Sequence, residues 1–329
     1  MANLSTTFLG LNLQSPVLVG ASPISKRIEN IQAAEEAGTA GVVIYSLFQE
    51  QIELERLVLD EALNVGSESF PEAITYFPRM EHAGPREHIM WVEKTRKHVK
   101  FPLIGSLNAA SVGNWVDYAK QLENAGCDAL ELNLYALQTD PEKNSEQIEQ
   151  EHLDVISSVK SKVSIPVAVK LSPFYTALAN FSRRAVSAGA DGLVLFNRFY
   201  QPFIDTDREK WLDEVTYSLP QEQRLPVRWI AILSGALETD IAATTGVYSG
   251  KDAVRYILAG AKVVQTASAL LERGVAHVAQ INAEIVAWME AKGYSSLDDF
   301  RGKLSLRTVA DQFMLERVHY LGVLHSWQH

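Results

Sequence analysis

The chain has 329 residues, 47% of them hydrophobic and 21% charged, with a mean hydropathy of −0.04 and a formal net charge of −10. This is an ordinary globular composition, long enough for a large core, and its acidic balance without a basic stripe argues against a nucleic-acid partner. The single cysteine, Cys127, excludes an internal disulfide and any all-cysteine metal site.

No apolar run reaches about 18 residues, so no membrane span is expected. The opening MANLSTTFLGLNL lacks the basic start and long apolar run of a signal peptide. These features predict a cytoplasmic enzyme acting on a small molecule.

In chain order, residues 8–13 are expected as a short N-terminal hairpin arm. Residues 16–22 form the first buried strand, ending on Ala21 and Ser22, and a helix over 28–37 stops at Gly38. The second strand covers 41–46 and ends on Tyr45 and Ser46. From 49 to 96 the pattern is looser, with breaks at Gly66 and at Ala83-Gly84-Pro85, and reads as a long loop partly covering the site. Strand three (101–106) ends on Ser106, with Asn108 just beyond, before a helix over 113–125. Strand four (129–134) carries Asn133 and strand five (166–171) carries Lys170, with helices over 148–159 and 175–188 after them. Strand six (192–197) ends on Asn197 and opens a long crossover containing Trp211, then a helix over 227–233.

The segment 240–271, DIAATTGVYSGKDAVRYILAGAKVVQTASALL, holds strands seven and eight, which end on Thr245-Gly246 and Ala267-Ser268. Between them a helix starts at Ser249, with Asp252 in its first turn, and stops at Ala259-Gly260. A helix over 275–289 follows. Eight apolar strands alternating with helices predict an α/β protein, a single (β/α)8 TIM barrel over 1–304. It has a short N-terminal hairpin and a C-terminal helical tail over 305–329. No GxGxxG follows the first strand, which disfavours a dinucleotide fold.

In a barrel the C-terminal strand ends form the active-site face. Two successive strands ending on small residues let the backbone approach a phosphate and offer N–H donors at a helix N-terminus, or merely permit tight turns. Lys170 puts an ammonium inside the barrel, where a bare charge is costly. It requires an anionic partner: a phosphate, an enolate, a reduced flavin, or a carboxylate such as Glu131. Asn133 and Asn197 offer amide groups to a planar ligand or cap their own turns. Cys127 precedes strand four, at the opposite face, and reads as structural.

These segments resemble the dihydroorotate dehydrogenase family of FMN-dependent barrels, from about Phe8 to Leu304. The resemblance is carried by SPVLVGAS, AGCDALELNL, IPVAVKLSP, GLVLFNR, the 240–271 block and GYSSLDDFRGKLS. It implies a class 1-like FMN oxidoreductase of pyrimidine biosynthesis, with Lys170 at the N1–O2 edge of the flavin. Thr245, Gly246, Val247, Ala267 and Ser268 would hold the phosphate, and Ala21, Ser22 and Ser106 would complete the cofactor site. Asn133 and Asn197 would contact both the cofactor and the substrate and Asn108 the substrate, no metal is implied, and a homodimer or a partner redox subunit is expected.

The departures are as specific. Where the family places a cysteine or serine base followed by Pro-Asn, this chain has Ala136 and Leu137-Gln138. The strand-two lysine is replaced by Tyr45, and Ser218-Leu219-Pro220-Gln221-Glu222-Gln223 replaces a glycine-rich segment. The cofactor half of the pattern is kept and the dihydroorotate half is not. His82 and His88 are the imidazoles available as substitute bases. Two readings follow: an FMN oxidoreductase acting on dihydroorotate or another small molecule, or a flavin-binding or electron-relay subunit of a larger complex.

Overall fold

Apolar runs flanked by small residues and helices bury both faces of each strand, and this is the environment of a parallel sheet. In the computed structural model, which describes residues 2–48, 85–108, 116–134, 137–199, 201–212, 214–310 and 312, these runs close into a barrel. A hairpin of β1 (Thr6–Phe8) and β2 (Leu11–Leu13) precedes β3 (Val17–Val19), β4 (Gly41–Val43) and the two-residue β5 (Leu47–Phe48). Then come β6 (Leu103–Asn108), β7 (Ala129–Asn133), β8 (Val167–Leu171) and β9 (Gly192–Leu195). A second hairpin, β10 (Phe203–Asp205) and β11 (Lys210–Leu212), leads to β12 (Asp240–Ala243) and β13 (Val263–Thr266).

Among the described residues, eight strands pair in parallel in the order β3, β4, β6, β7, β8, β9, β12, β13, and β13 returns to β3. The helices are α1 (Ile28–Glu36), α2 (Pro85–Arg96), α3 (Val116–Asn124), α4 (Ser145–Lys160) and α5 (Leu178–Ser187). They continue with α6 (Arg224–Ala236), α7 (Gly250–Ala259), the short α8 (Ser268–Arg273) and α9 (His277–Lys292). The expected (β/α)8 barrel with its N-terminal hairpin is therefore the observed fold.

Alternation along the strands builds two cores. Val17, Val19, Leu130, Leu132, Val167 and Val169 belong to the larger one, between barrel and helices. Leu18, Val43, Ile104, Ala129, Ala168, Val194, Ala242 and Val263 form the smaller one, which the hairpin residues Phe8, Leu9 and Leu13 join. A Cβ on Gly192 would meet Leu9 Cδ2 at 2.7 Å, so this end of the barrel admits the hairpin only because residue 192 has no side chain. The Leu9 N–H also donates to Asp240 Oδ2 at 2.8 Å. This hairpin fills the N-terminal end, leaving the other end for chemistry.

Two expectations change. Residues 85–96 are helix α2 rather than loop: Pro85 opens it, where the missing N–H costs nothing, and His88, Val92 and Thr95 are its buried face. The polar residues between them obscured the period. The rest of the expected loop, 49–84, lies outside the described residues, as does the tail beyond 310 apart from Gln312. The crossover after β9, expected as a long segment containing Trp211, also carries the β10–β11 hairpin.

Cys127 is buried just before β7, and burial pushes its thiol up to about 12, as an inert packing residue requires. Ser249 caps α7 as its position suggests, accepting from the Asp252 N–H, and Gly260 ends that helix at φ 121°.

One consequence is a pH dependence. His152 is buried, its Nδ1 bonds the Tyr175 hydroxyl at 2.8 Å, and burial holds its pKa down at about 4. Between pH 6.5 and about 4 the unfolded chain takes up a proton that the folded chain refuses, so stability should fall across that window. The loss from this group is on the order of 3 kcal/mol, and below pH 4 it is complete. Urea midpoints measured from pH 7 to 4 should show the slope in the native protein and a shallower one in His152→Gln. An unchanged slope would overturn the assignment.

Candidate active site

One strand step above the apolar filling of the barrel, the inward residues become polar. Ile104 is followed by Ser106, Ala129 by Glu131, Ala168 by Lys170, Ala242 by Thr244 and Val263 by Gln265. All but Lys170 are less than a tenth exposed. Lys170 Nζ lies 3.1 Å from Glu131 Oε1 and 3.4 Å from Gln265 Oε1, while Gln265 Nε2 donates to Glu131 Oε2 at 2.5 Å. The carboxylate alternative for Lys170 is thus realised, and the lysine still lines a cavity of about 200 Å³ at the barrel mouth.

The rim of that cavity is the turn after β12. The Tyr256 hydroxyl shares its one proton between the carbonyls of Thr244 and Thr245, each 2.8 Å away. Gln223 Nε2 donates to the Gly246 carbonyl at 2.5 Å, Thr266 Oγ1 to that of Val247 at 2.8 Å, and His277 Nε2 to that of Tyr248 at 2.8 Å. Five consecutive carbonyls are therefore held by side chains. Thr245 and Gly246 both adopt positive φ, 80° and 70°. Pinning the carbonyls fixes the peptide dipoles, and successive N–H groups in such a turn make a concavity suited to an anion. The Gly246 N–H meets Ser218 Oγ at 3.2 Å, and Ser218 Oγ in turn bonds Ser268 Oγ at 3.0 Å. A Cβ on Gly246 would stand 2.6 Å from the Leu219 carbonyl oxygen, so the 218–220 segment closes on this turn only because residue 246 is glycine.

The structure brings Ala21, Lys170, Asn197, Thr245, Gly246, Val247, Ala267 and Ser268 to one cavity. Asn133 joins them through Asn197 Nδ2, which donates to its Oδ1 at 2.7 Å, and it is the strand neighbour of both Lys170 and Asn108. Ser106 does not line the cavity; its hydroxyl is 2.8 Å from that of Ser46. Ser22 is buried beside Ala21, its hydroxyl without a partner among the described residues. Ala136 and Tyr135 lie outside the described residues, as does His82.

His88 is not at the mouth. It is buried on α2, its Nε2–H donates to the Tyr45 carbonyl at 2.9 Å, and burial lowers its pKa. Burial, with the charge of Glu87 nearby, pushes the Tyr45 phenol up to about 12, so it cannot supply the positive charge of a lysine.

Gln265, Thr244, Arg198 and Ser218 also line the cavity, although none of them was expected as a site residue from the sequence. Gln265 had a signal, a lone amide inside the apolar strand VVQT. Ser218 stood out only as part of the segment that departs from the family's glycine-rich one, and its place at the cavity comes from the fold, which carries the crossover back to β12. Next to this cavity, sharing Phe196, Asn197, Arg198 and Thr245, opens a second one of about 930 Å³ walled by Phe174, Phe199 and the β10–β11 hairpin. Phe174 and Phe199 stack there at 5.3 Å.

The dihydroorotate dehydrogenase family model matches residues 81–289. The chain belongs to the dihydroorotate dehydrogenase family. It is 26% identical over 317 residues to the dihydroorotate dehydrogenase B (NAD(+)) catalytic subunit of Thermoplasma acidophilum, covering 92% of this chain and 99% of the relative. Against the protein of the same name from Pyrococcus horikoshii it is 25% identical over 311 residues, 91% and 97% of the two chains. The Sulfolobus acidocaldarius catalytic subunit is 30% identical over 209 residues, 62% of this chain and 69% of that one. Family membership makes the barrel an oxidoreductase scaffold of this type. Among the described residues, no helix is long and apolar enough to cross a membrane.

Proposed function

We propose that this protein is an FMN-dependent oxidoreductase of the dihydroorotate dehydrogenase type that acts on a small planar substrate, with dihydroorotate itself a poor one. The observation that carries the reading is the row of five pinned carbonyls at 244–248. It turns the β12 loop into an anion cradle on the same cavity as Lys170. The residues fit the cofactor. Thr245, Gly246, Val247, Ala267 and Ser268 would hold the phosphate, with the Ser218 hydroxyl turning from the Gly246 N–H to the ligand. Lys170 would meet the N1–O2 edge of the ring, and Ala21 and Ser22 would flank it. Asn108, Asn133 and Asn197 would orient the substrate. When bound, FMN supplies the hydride acceptor; the chain supplies orientation, charge and exclusion of water.

Gly246→Val should test the cradle, because a Cβ there meets backbone and the positive φ is strained. FMN should bind at least tenfold more weakly, while riboflavin, which lacks the phosphate, should lose less. Equal losses would place the phosphate elsewhere, and a wild-type protein that cannot be loaded with FMN would sink the reading.

A second reading, a flavin-binding or electron-relay subunit, is favoured by one observation. The hairpin beside the cavity leaves Phe203 75% and Trp211 68% exposed, an apolar surface of the kind that marks interaction sites. The relatives' names as catalytic subunits accord with a partner subunit. Sedimentation of wild type against Phe203→Ser/Trp211→Ser would separate a homodimer through this face from a monomer awaiting a different redox subunit.

A further inference from the structure

The group under the cavity is a closed ring of three side chains. Glu131 and Gln265 are 1% and 4% exposed, and they come from β7 and β13, strands that are not neighbours in the barrel. Each Glu131 oxygen has one of the partners: Oε1 accepts from Lys170 and Oε2 from Gln265. Gln265 Oε1 accepts from the same ammonium at 3.4 Å. A lysine ammonium has three N–H donors; among the described residues these contacts engage two of them, which leaves one for the cavity that Lys170 lines.

Two physical consequences follow. The ring anchors Nζ from two sides, so the remaining donor has a direction that a flexible four-carbon stem alone would not hold. The ring also sums to zero charge, because the carboxylate cancels the ammonium within hydrogen-bond distance, in an interior where uncompensated charge is expensive. A ligand therefore meets one aimed donor rather than a bare cation.

Resting on the FMN reading above, we propose that Glu131 and Gln265 are positioning residues that aim Lys170 and set the electrical balance beneath the flavin. A neutral floor suits a ring edge that is uncharged when it binds and becomes electron-rich only on reduction. The carboxylate holds the reduction potential below the value that an unpaired lysine would impose.

The test is a charge swap on the FMN-loaded protein, read by the flavin midpoint potential. Glu131→Gln is isosteric, leaves the ammonium uncompensated and should stabilise reduced over oxidised flavin at least tenfold, an upward shift of about 30 mV for a two-electron couple. Glu131→Gln combined with Gln265→Glu returns the carboxylate to the ring from the other side and should bring the equilibrium back to within threefold of wild type. Glu131→Asp, which keeps the charge, should also stay close. A role confined to packing predicts the reverse order, with the double variant disturbed at least as much as the single. An unmoved potential in Glu131→Gln, or a double variant that fails to return, would overturn the proposal. Should Glu131→Gln not fold, the double variant decides alone, since a shift beyond tenfold contradicts the proposal. Failure of the wild type to bind FMN removes the cofactor reading and this one together; normal binding with the wrong potentials removes this one only.

Discussion

Mixed with dihydroorotate under anaerobic conditions, the FMN-loaded protein should bleach its flavin about 10²–10⁴-fold more slowly than family members with a cysteine or serine where this chain has Ala136. Oxidising dihydroorotate removes a carbon-bound proton as hydride leaves, and a positioned base contributes about that factor. A methyl group cannot take the proton. The substitutes within the described residues are poor. Tyr45, with its phenol near 12, is neutral at pH 7. His88 spends its Nε2–H on a backbone carbonyl and lies buried on α2. Lys170 is tied to Glu131 and Gln265. Ala136→Cys alone should restore only part of the rate, because Tyr45 and Gln138 also depart from the family pattern. Stopped-flow absorbance decides the matter: rapid bleaching of the unmodified protein would show that a base outside these residues serves the site.

Lys170→Ala should destabilise the fold by about 3–5 kcal/mol, because it strands the buried Glu131 carboxylate without its cation. The size follows from the burial of both partners, with side-chain exposures of 13% and 1%. Adding Glu131→Gln should recover most of the loss, since the neutral amide can stay bonded to Gln265. Urea denaturation of the two variants measures the difference directly. If Lys170→Ala costs less than about 1 kcal/mol, or Glu131→Gln does not rescue it, then Glu131 is not charged in the folded protein. The same result governs how the lysine is tested in catalysis. Slow flavin reduction by the single variant mixes a lost donor with a disturbed floor, whereas the double variant isolates the donor.

Much of this was legible in the chain itself. The barrel follows from the eight apolar runs at strand length, each closed by small residues and separated by helical periods, because a strand buried on both faces permits little else. The Ser249 cap, the stop at Gly260 and the small-residue ends of β12 and β13 are local chemistry, and they came out at the expected places. So did the convergence of Lys170, Asn133 and Asn197, since residues at the same ends of parallel strands must meet around a closed barrel.

Other features depended on closure and could not be read along the chain. Helix α2 shows only a weak period because one stripe of it is buried and the rest is charged or solvent-facing. The Lys170 partner could be named from sequence only as one option among several anions. Selecting Glu131 required β7 beside β8, and adding Gln265 required β13 across the lumen, 134 residues away in sequence from Glu131. Ser218 reaches the cradle because the crossover after β9 folds back over β12. Local sequence sets which strand or helix each residue joins and which face it takes. Which charges then neutralise one another is decided by distances through space, and those exist only once the barrel has closed.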